Sequence, residues 1–135
     1  MTALTAYTPH QQHAKLGPQD SRYVDVAAIP WKPTPTPGID MKVLMQDDSS
    51  GLLTALFRWQ PGTQLPLHEH VEIEQTYVLS GSIVDDEGEV REGDYVWRPR
   101  GNRHLARSPD GALVLSFFLK PNVFLEGEHA GKELK

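Results

Sequence analysis

The stretch Gly62-Thr-Gln-Leu-Pro-Leu-His68-Glu-His70-Val-Glu-Ile-Glu74-Gln-Thr-Tyr-Val-Leu-Ser-Gly81 carries the strongest fold signal in this 135-residue chain. His68 and His70 are two residues apart, and side chains at i and i+2 of a β-strand point to the same face. Both imidazoles can therefore reach one point above a strand. Glu74 has the same parity and can add a carboxylate to that point.

A third histidine follows in the stretch Gly93-Asp-Tyr-Val-Trp-Arg-Pro99-Arg-Gly101-Asn-Arg-His104-Leu-Ala-Arg-Ser108. His104 comes after a Pro-x-Gly turn and can arrive from a neighbouring strand. Three imidazole nitrogens on one side of a metal ion leave coordination positions open for water, oxygen or substrate. The alternative is that the three histidines are structural and satisfied by hydrogen bonds inside a barrel.

Around these stretches the chain is a series of short apolar, β-branched and aromatic runs separated by Gly, Pro and Asp clusters, which is typical of an all-β barrel or sandwich. The predicted strands span residues 41–46, 52–60, 76–85, 89–97 and 112–119, with a short piece around His104 and one possible strand at 23–29. We expect three segments: an N-terminal arm with a proline-rich extended part (1–40), a β domain (41–122) and a charged, frayed tail (123–135).

The two stretches resemble the two motifs of the cupin superfamily at nine of ten fixed positions. The matching positions are Gly62, His68, His70, Glu74 and Gly81, then Gly93, Pro99, Gly101 and His104, whereas Ser108 stands where the family usually has Asn. The resemblance implies an all-β cupin double-stranded β-helix, a jelly-roll barrel, with an extended N-terminal arm.

In cupins these residues bind a divalent metal, so the resemblance implies the ligands His68, His70, Glu74 and His104. One subset of cupins uses only the three histidines. Glu74 is therefore either a direct ligand or a residue that holds an imidazole or a bound water, and it is also the candidate catalytic group for managing a proton. Iron(II) is the expected metal, and zinc, nickel or manganese also suit histidine and carboxylate ligands.

The residues in and around the two motifs are similar to those of the cupin half of ChrR-type anti-sigma factors. It is equally similar to small single-domain acetylacetone and 2,4'-dihydroxyacetophenone dioxygenases, which use iron held by three histidines to cleave a carbon–carbon bond beside a ketone. With 135 residues and no second domain, we expect the stand-alone enzyme. The alternatives are a non-catalytic zinc-binding sensor module and an oxygen-independent metal-dependent isomerase or hydrolase.

Four residues are candidates for binding a small-molecule substrate. Arg58 and Arg98 can meet an anionic group or an enolate, Trp97 can line an apolar pocket, and Gln75 lies beside the proposed ligands.

The amino-acid composition limits the classes of binding partner and ligand. Thirteen Lys and Arg against 18 Asp and Glu give a net charge of −5, which argues against nucleic acid or an anionic membrane. The absence of cysteine excludes disulfides and thiolate ligands. The first ten residues show no signal-peptide pattern, so we expect a cytoplasmic protein. The proline-rich arm suggests contact with a second subunit, and we expect a homodimer.

Overall fold

The strands of this protein follow directly from the alternation of apolar and polar residues in its sequence. The computed structural model describes residues 17–127 and 129–133. The ten strands are β1 (Lys32–Pro33), β2 (Ile39–Asp47), β3 (Leu52–Trp59), β4 (Thr63–Glu69), β5 (Glu74–Val84), β6 (Glu89–Arg91), β7 (Tyr95–Arg98), β8 (Arg103–Ser108), β9 (Ala112–Phe118) and β10 (Val123–Phe124). Within the described residues the helical content is one short 3₁₀ turn, Val26–Ala28. The all-β prediction is confirmed.

All neighbouring strands are antiparallel, and they run in the order β1-β2-β3-β9-β5-β8-β4-β10, with β6 and β7 both paired to β5. The first sheet consists of β1, β2, β3, β9, the first part of β5, and β7. The second sheet consists of β10, β4, β8, the last part of β5, and β6. β5 therefore belongs to both sheets and joins them.

β5 changes sheet at an irregularity near Gly81. The pairing register between β5 and β9 shifts between Val78 and Ser80. Gly81 has φ +73°, and a Cβ at this position would overlap the carbonyl oxygen of Gly111. Glycine is required here because both the left-handed backbone and the close approach of the next turn exclude a side chain.

The core lies between the two sheets and is filled by alternate residues of the strands. β3 shows the pattern most clearly, since every second residue from Leu53 to Trp59 is buried. Met41, Val78 and Phe124 are among the least exposed side chains and come from three different strands. Burial of these apolar side chains supplies the main driving force for folding.

Both ends of the described chain differ from the sequence prediction. Residues 26–28 form the 3₁₀ turn instead of part of a strand. Within the predicted tail, Val123 and Phe124 pair with Glu69 and His68 of β4, and Phe124 is 1% exposed. These two residues are therefore part of the second sheet. The first sixteen residues of the predicted arm lie outside the described residues.

The outer face of the first sheet carries several exposed large apolar side chains, namely Tyr77, Leu79, Tyr95, Trp97 and Phe117. Among the described residues, no helix has the length and apolar character needed to cross a membrane.

Candidate metal centre

The three histidines of the two motifs meet at the end of the second sheet. His68 on β4 and His104 on β8 are cross-strand partners, which places their side chains side by side. The pairing register of β4 and β8 shifts between Leu65 and His68, where Pro66 has no backbone N–H to contribute to the ladder. His70 follows directly after β4.

The backbone of His70 is fixed by the turn that precedes β8. Its N–H donates to the carbonyl of Asn102 at 2.8 Å, and its carbonyl accepts from the N–H of Gly101 at 2.7 Å. This pair of hydrogen bonds brings the first and second motifs together. The Pro-x-Gly turn of the second motif therefore positions a histidine of the first motif.

The three imidazole rings are packed within contact distance of one another. Ring centroids of His68 and His104 lie 4.4 Å apart, and the His70 ring lies 5.0 Å from each of the other two. One ligand nitrogen from each ring lies within 4.8 Å of the others, an arrangement that can hold a metal ion. The rings are almost completely buried, with exposures of 1%, 0% and 8% for His68, His70 and His104.

Each ring turns its Nδ1 atom to an oxygen atom. His68 Nδ1 lies 2.8 Å from the carbonyl oxygen of Pro66, and His104 Nδ1 lies 2.7 Å from Oδ2 of Asp85. His70 Nδ1 lies 2.8 Å from Oε2 of Glu74, at ion-pair distance but without hydrogen-bond alignment. A carbonyl or ionised carboxylate oxygen only accepts, so the hydrogen-bond partners favour the ring proton on Nδ1 of His68 and His104, and the charge of Glu74 favours it on Nδ1 of His70. The Nε2 atoms are then left as unprotonated acceptors.

The three rings could hold a metal ion. Nε2 of His70 and Nε2 of His104 are 3.0 Å apart, which is a hydrogen bond when one of them carries the ring proton and leaves two lone pairs for a shared cation when both protons are on Nδ1. Burial, followed by the nearby His104 ring, lowers the pKa of His68 to about 3. Burial and then the charge of Arg98 lower the pKa of His104 to about 4. Protonation is thus disfavoured, and the donor set fits a divalent metal ion that prefers imidazole ligands.

Glu74 lies behind His70, and its carboxylate is engaged by protein groups on both oxygens. Oε2 faces His70 Nδ1 and accepts from Asn122 Nδ2 at 3.3 Å, while Oε1 accepts from the Thr76 hydroxyl at 2.7 Å. Burial alone would raise the pKa of Glu74, but His70, Thr76 and Arg98 together lower it to about 2. The structure thus puts Glu74 in the position of a residue that holds an imidazole. Such a low pKa argues against Glu74 as a general base.

A small cavity of about 50 Å³ opens beside the histidines, inside the barrel. This volume exceeds the roughly 10–15 Å³ that one water molecule requires. Its apolar lining includes Phe57, Trp59, Leu65, Val96, Val114 and Phe118, and its polar lining consists of His68, Glu74, Thr76, Arg98, His104, Ser116 and Asn122. Its lining, apolar with a few convergent polar groups, has the composition of a small-molecule site, and its volume is well below the roughly 300–1,000 Å³ of most such sites.

The sequence of this chain matches the family model of the ChrR cupin-like domain over residues 19–122. The chain belongs to the ChrR cupin-like family. This confirms the cupin resemblance, and the matched residues include all three histidines of the cluster. No match is found among curated proteins.

Solved structures show the same cupin fold. A proposed acetylacetone dioxygenase from Methylibium petroleiphilum is 23% identical, with a TM-score of 0.75 over 85% of this chain and 88% of that chain. An acetylacetone dioxygenase from Acinetobacter johnsonii is 18% identical, with a TM-score of 0.75 over 86% and 85%. The Rhodobacter sphaeroides complex of SigE with the anti-sigma ChrR is 20% identical, with a TM-score of 0.59 over 67% and 50%.

Of the four predicted substrate-binding residues, this ChrR-like cupin brings one to the cavity. Arg98 is 9% exposed and lines the cavity together with His68 and His104. Gln75 and Trp97 are exposed on the outer face of the first sheet, where Gln75 accepts from the Tyr95 hydroxyl at 2.7 Å. Their neighbours Glu74 and Arg98 point inward, and side chains alternate along a strand, so Gln75 and Trp97 face outward.

Arg58 is also away from the histidines. Its guanidinium lies 3.0 Å from the carboxylate of Asp40 and 4.3 Å from the centre of the Trp31 ring. It thus holds the proline-rich arm against the first sheet through a cation–π contact and an ion pair. The positions of Arg58, Gln75 and Trp97 do not support the substrate-binding prediction.

Sequence reasoning missed Asp85, which links Arg98 to His104. Its Oδ2 atom lies 2.7 Å from His104 Nδ1 and 2.8 Å from Arg98 Nη1, and its Oδ1 accepts from the N–H groups of Glu87 and Gly88. Burial would raise the pKa of Asp85, but His104 and Arg98 lower it overall. The sequence signal was an Asp at the start of a turn, and that pattern indicated only a turn residue.

Proposed function

We propose that this cupin is a metal-dependent dioxygenase that cleaves a carbon–carbon bond beside a ketone in a small substrate, with iron(II) as the metal. The observation that carries the proposal is the convergence of three imidazole rings, each with a nitrogen within 4.8 Å of the others, beside a small, mostly apolar cavity. Support also comes from the acetylacetone dioxygenases among the structural relatives, which cover most of this chain.

His68, His70 and His104 would hold the metal, each through Nε2. Iron(II) bound by three histidines supplies Lewis-acid and redox chemistry with coordination positions left for substrate and oxygen. Pro66, Glu74 and Asp85 keep the three rings in the tautomer that leaves Nε2 free to coordinate. Glu74 is assigned to orientation of His70, because its low pKa makes it a weak proton acceptor.

The rest of the cavity would bind the organic substrate. Its apolar walls exclude water and accept the carbon skeleton of a small ketone. Arg98 is a buried cation whose Nη1 is turned toward Asp85, and its other guanidinium nitrogens have donors for the oxygen of an enolate. Arg98 would thereby stabilise the electron-rich form of the ketone that reacts with oxygen.

A second candidate function is a non-catalytic zinc-binding module of the ChrR sensor type. The match to the ChrR cupin-like family model favours it, together with the likeness to the SigE–ChrR complex. The two functions differ in what the site must do. A sensor module needs a metal held by protein ligands, whereas a dioxygenase needs coordination positions that exchange with substrate and oxygen.

Oxygen uptake tests the proposed function. The metal-free chain is reconstituted anaerobically with iron(II), then exposed to air with acetylacetone or with 2,4'-dihydroxyacetophenone. Substrate-dependent uptake is expected for the wild type and for His129→Ala, a histidine outside the cavity, and not for His104→Ala. No uptake with either ketone at stoichiometric iron would contradict the dioxygenase. Anaerobic turnover of a ketone would instead support an isomerase or hydrolase.

A further inference from the structure

Along one wall of the cavity, the hydroxyl groups have fixed roles as hydrogen-bond donors and acceptors. The Thr76 hydroxyl donates its hydrogen to Oε1 of Glu74 at 2.7 Å. The Oγ atoms of Thr76 and Ser116 lie 2.7 Å apart, on neighbouring strands β5 and β9. A hydroxyl has one hydrogen and two acceptor lone pairs, so Thr76 cannot also donate to Ser116. Ser116 therefore donates to Thr76, and its own remaining hydrogen-bonding capacity is to accept.

Asn122 likewise acts as a donor, to the other carboxylate oxygen of Glu74. Its Nδ2 donates to Oε2 of Glu74 at 3.3 Å, which fixes the orientation of the amide because a carboxylate oxygen accepts. Its Oδ1 has no hydrogen-bond partner among the described residues, although Asn122 is only 1% exposed. A buried carbonyl oxygen without a partner is costly, and it gains a bond when a donor is supplied.

Ser116 and Asn122 both line the cavity that His68 and His104 border. Each directs a donor toward Glu74, Ser116 through Thr76 and Asn122 directly. The oxygens of both side chains are left to accept a hydrogen bond. We call these two residues, Ser116 and Asn122, the acceptor wall. Arg98, in contrast, brings donors to the same cavity.

We propose that the acceptor wall binds a hydroxyl or amine group of the substrate, so that the substrate is a small ketone carrying a hydrogen-bond donor, not an unsubstituted diketone. The inference rests on the proposed function for the ketone group, which meets the metal and Arg98. It adds the chemical class of the remainder of the substrate. A diketone bound as its enolate has only acceptor oxygens and leaves the acceptor wall unpaired.

The test holds the metal-binding group constant and varies the donor. The probes are acetylacetone, 1-hydroxy-2,4-pentanedione and 1-methoxy-2,4-pentanedione, titrated calorimetrically into the iron(II)-loaded chain without oxygen, so that none is consumed. We expect the hydroxyl compound to bind about tenfold more tightly than the methoxy compound or acetylacetone, because one hydrogen bond to an otherwise unpaired buried acceptor has roughly that effect. Equal affinity for all three would overturn the inference and leave the proposed function intact.

Variants locate the effect in the acceptor wall. Ser116→Ala and Asn122→Leu are expected to reduce the tenfold preference for the hydroxyl probe over acetylacetone to about twofold or less. Ser80→Ala makes the same Ser-to-Ala change at an exposed position of β5 and should keep the full preference. A preference that survives in both cavity variants overturns the inference. If none of the three diketones binds the iron(II)-loaded wild type, the proposed function fails as well.

Discussion

Nε2 of His70 and Nε2 of His104 lie 3.0 Å apart, while Nδ1 of each ring faces a carboxylate, Glu74 for one and Asp85 for the other. The two carboxylates come from opposite ends of β5, Glu74 at its first residue and Asp85 directly after its last. A single strand thus fixes the tautomers of two rings that arrive from different segments of the chain. If both ring protons are on Nδ1, this relationship favours a cation shared by the two Nε2 atoms.

Metal binding is expected to require each of the three rings. His104→Ala should lower the bound metal per chain to near zero after dialysis, because two imidazoles hold a divalent ion far more weakly than three. Metal content is measured by atomic emission after loading with iron(II) or zinc. His129→Ala is the matched control and should retain one metal per chain. Full occupancy in His104→Ala would contradict the three-histidine site.

Asp85→Asn is expected to weaken metal binding about 10- to 100-fold without removing a ligand. The amide can accept from His104 Nδ1 but lacks the negative charge that stabilises the metal-bound ring and pairs with Arg98. Affinity is measured by competition with a chromophoric chelator. Asp86→Asn is the matched control, since the Asp86 side chain is exposed and next in the chain. Equal affinities for the two variants would show that Asp85 does not act through His104.

Spacing was enough to predict the histidine cluster, because both motifs have fixed turns and strand register then brings their residues together. Alternation would also have placed two further residues. Glu74 and Arg98 point inward, so their neighbours Gln75 and Trp97 must face outward, as observed. That prediction requires knowing which alternate residues of a strand face the core. The sequence does not settle this for every strand, because β9 has apolar residues at both odd and even positions.

Other parts of the site depend on contacts between distant segments. Asp85 contacts His104 and Arg98 only because β5, β7 and β8 pair in a particular register, which no local pattern reveals. Asn122 is 48 residues from Glu74 in the sequence and donates to its carboxylate. Ser108, where the cupin motif usually has Asn, is fully buried and donates to the carbonyl of Ser82 at 2.6 Å. The smaller side chain keeps a structural hydrogen bond between β8 and β5.

The predicted homodimer has a candidate surface in the outer face of the first sheet. Trp97 and Phe117, 57% and 44% exposed, lie on either side of Gln75, and the outward positions of β5, β7 and β9 carry no Asp, Glu, Lys, Arg or His. Two copies can therefore face each other without like-charge repulsion. We expect twice the chain mass in light scattering and a monomer for Trp97→Lys combined with Phe117→Lys. Leu105→Lys, on the second sheet, should remain dimeric. A monomeric wild type would refute the prediction.

Acid is expected to destabilise the metal-free protein in two overlapping pH windows. The pKa values of His68 and His104 in the folded state, about 3 and about 4, lie below the ordinary value of 6.5. The unfolded chain therefore binds more protons as the pH falls below 6.5, and the free energy of unfolding decreases by up to about 1.4 kcal/mol per pH unit for each histidine. This loss continues until the pH reaches the folded pKa values.

Protonation of Glu74 lowers the stability of the folded protein in the second, more acidic pH window. Its pKa is lowered from 4.5 to about 2, so the stability that its ionised carboxylate contributes is present above pH 4.5 and is lost as the pH falls toward 2. Urea unfolding of the metal-free chain from pH 7 to pH 4 measures the histidine window, because Glu74 stays ionised over most of that range. We expect a falling midpoint for the wild type and a shallower fall for His68→Gln, which removes one titrating ring. A midpoint that is constant between pH 7 and pH 5 would mean that these imidazoles are not held neutral by the fold.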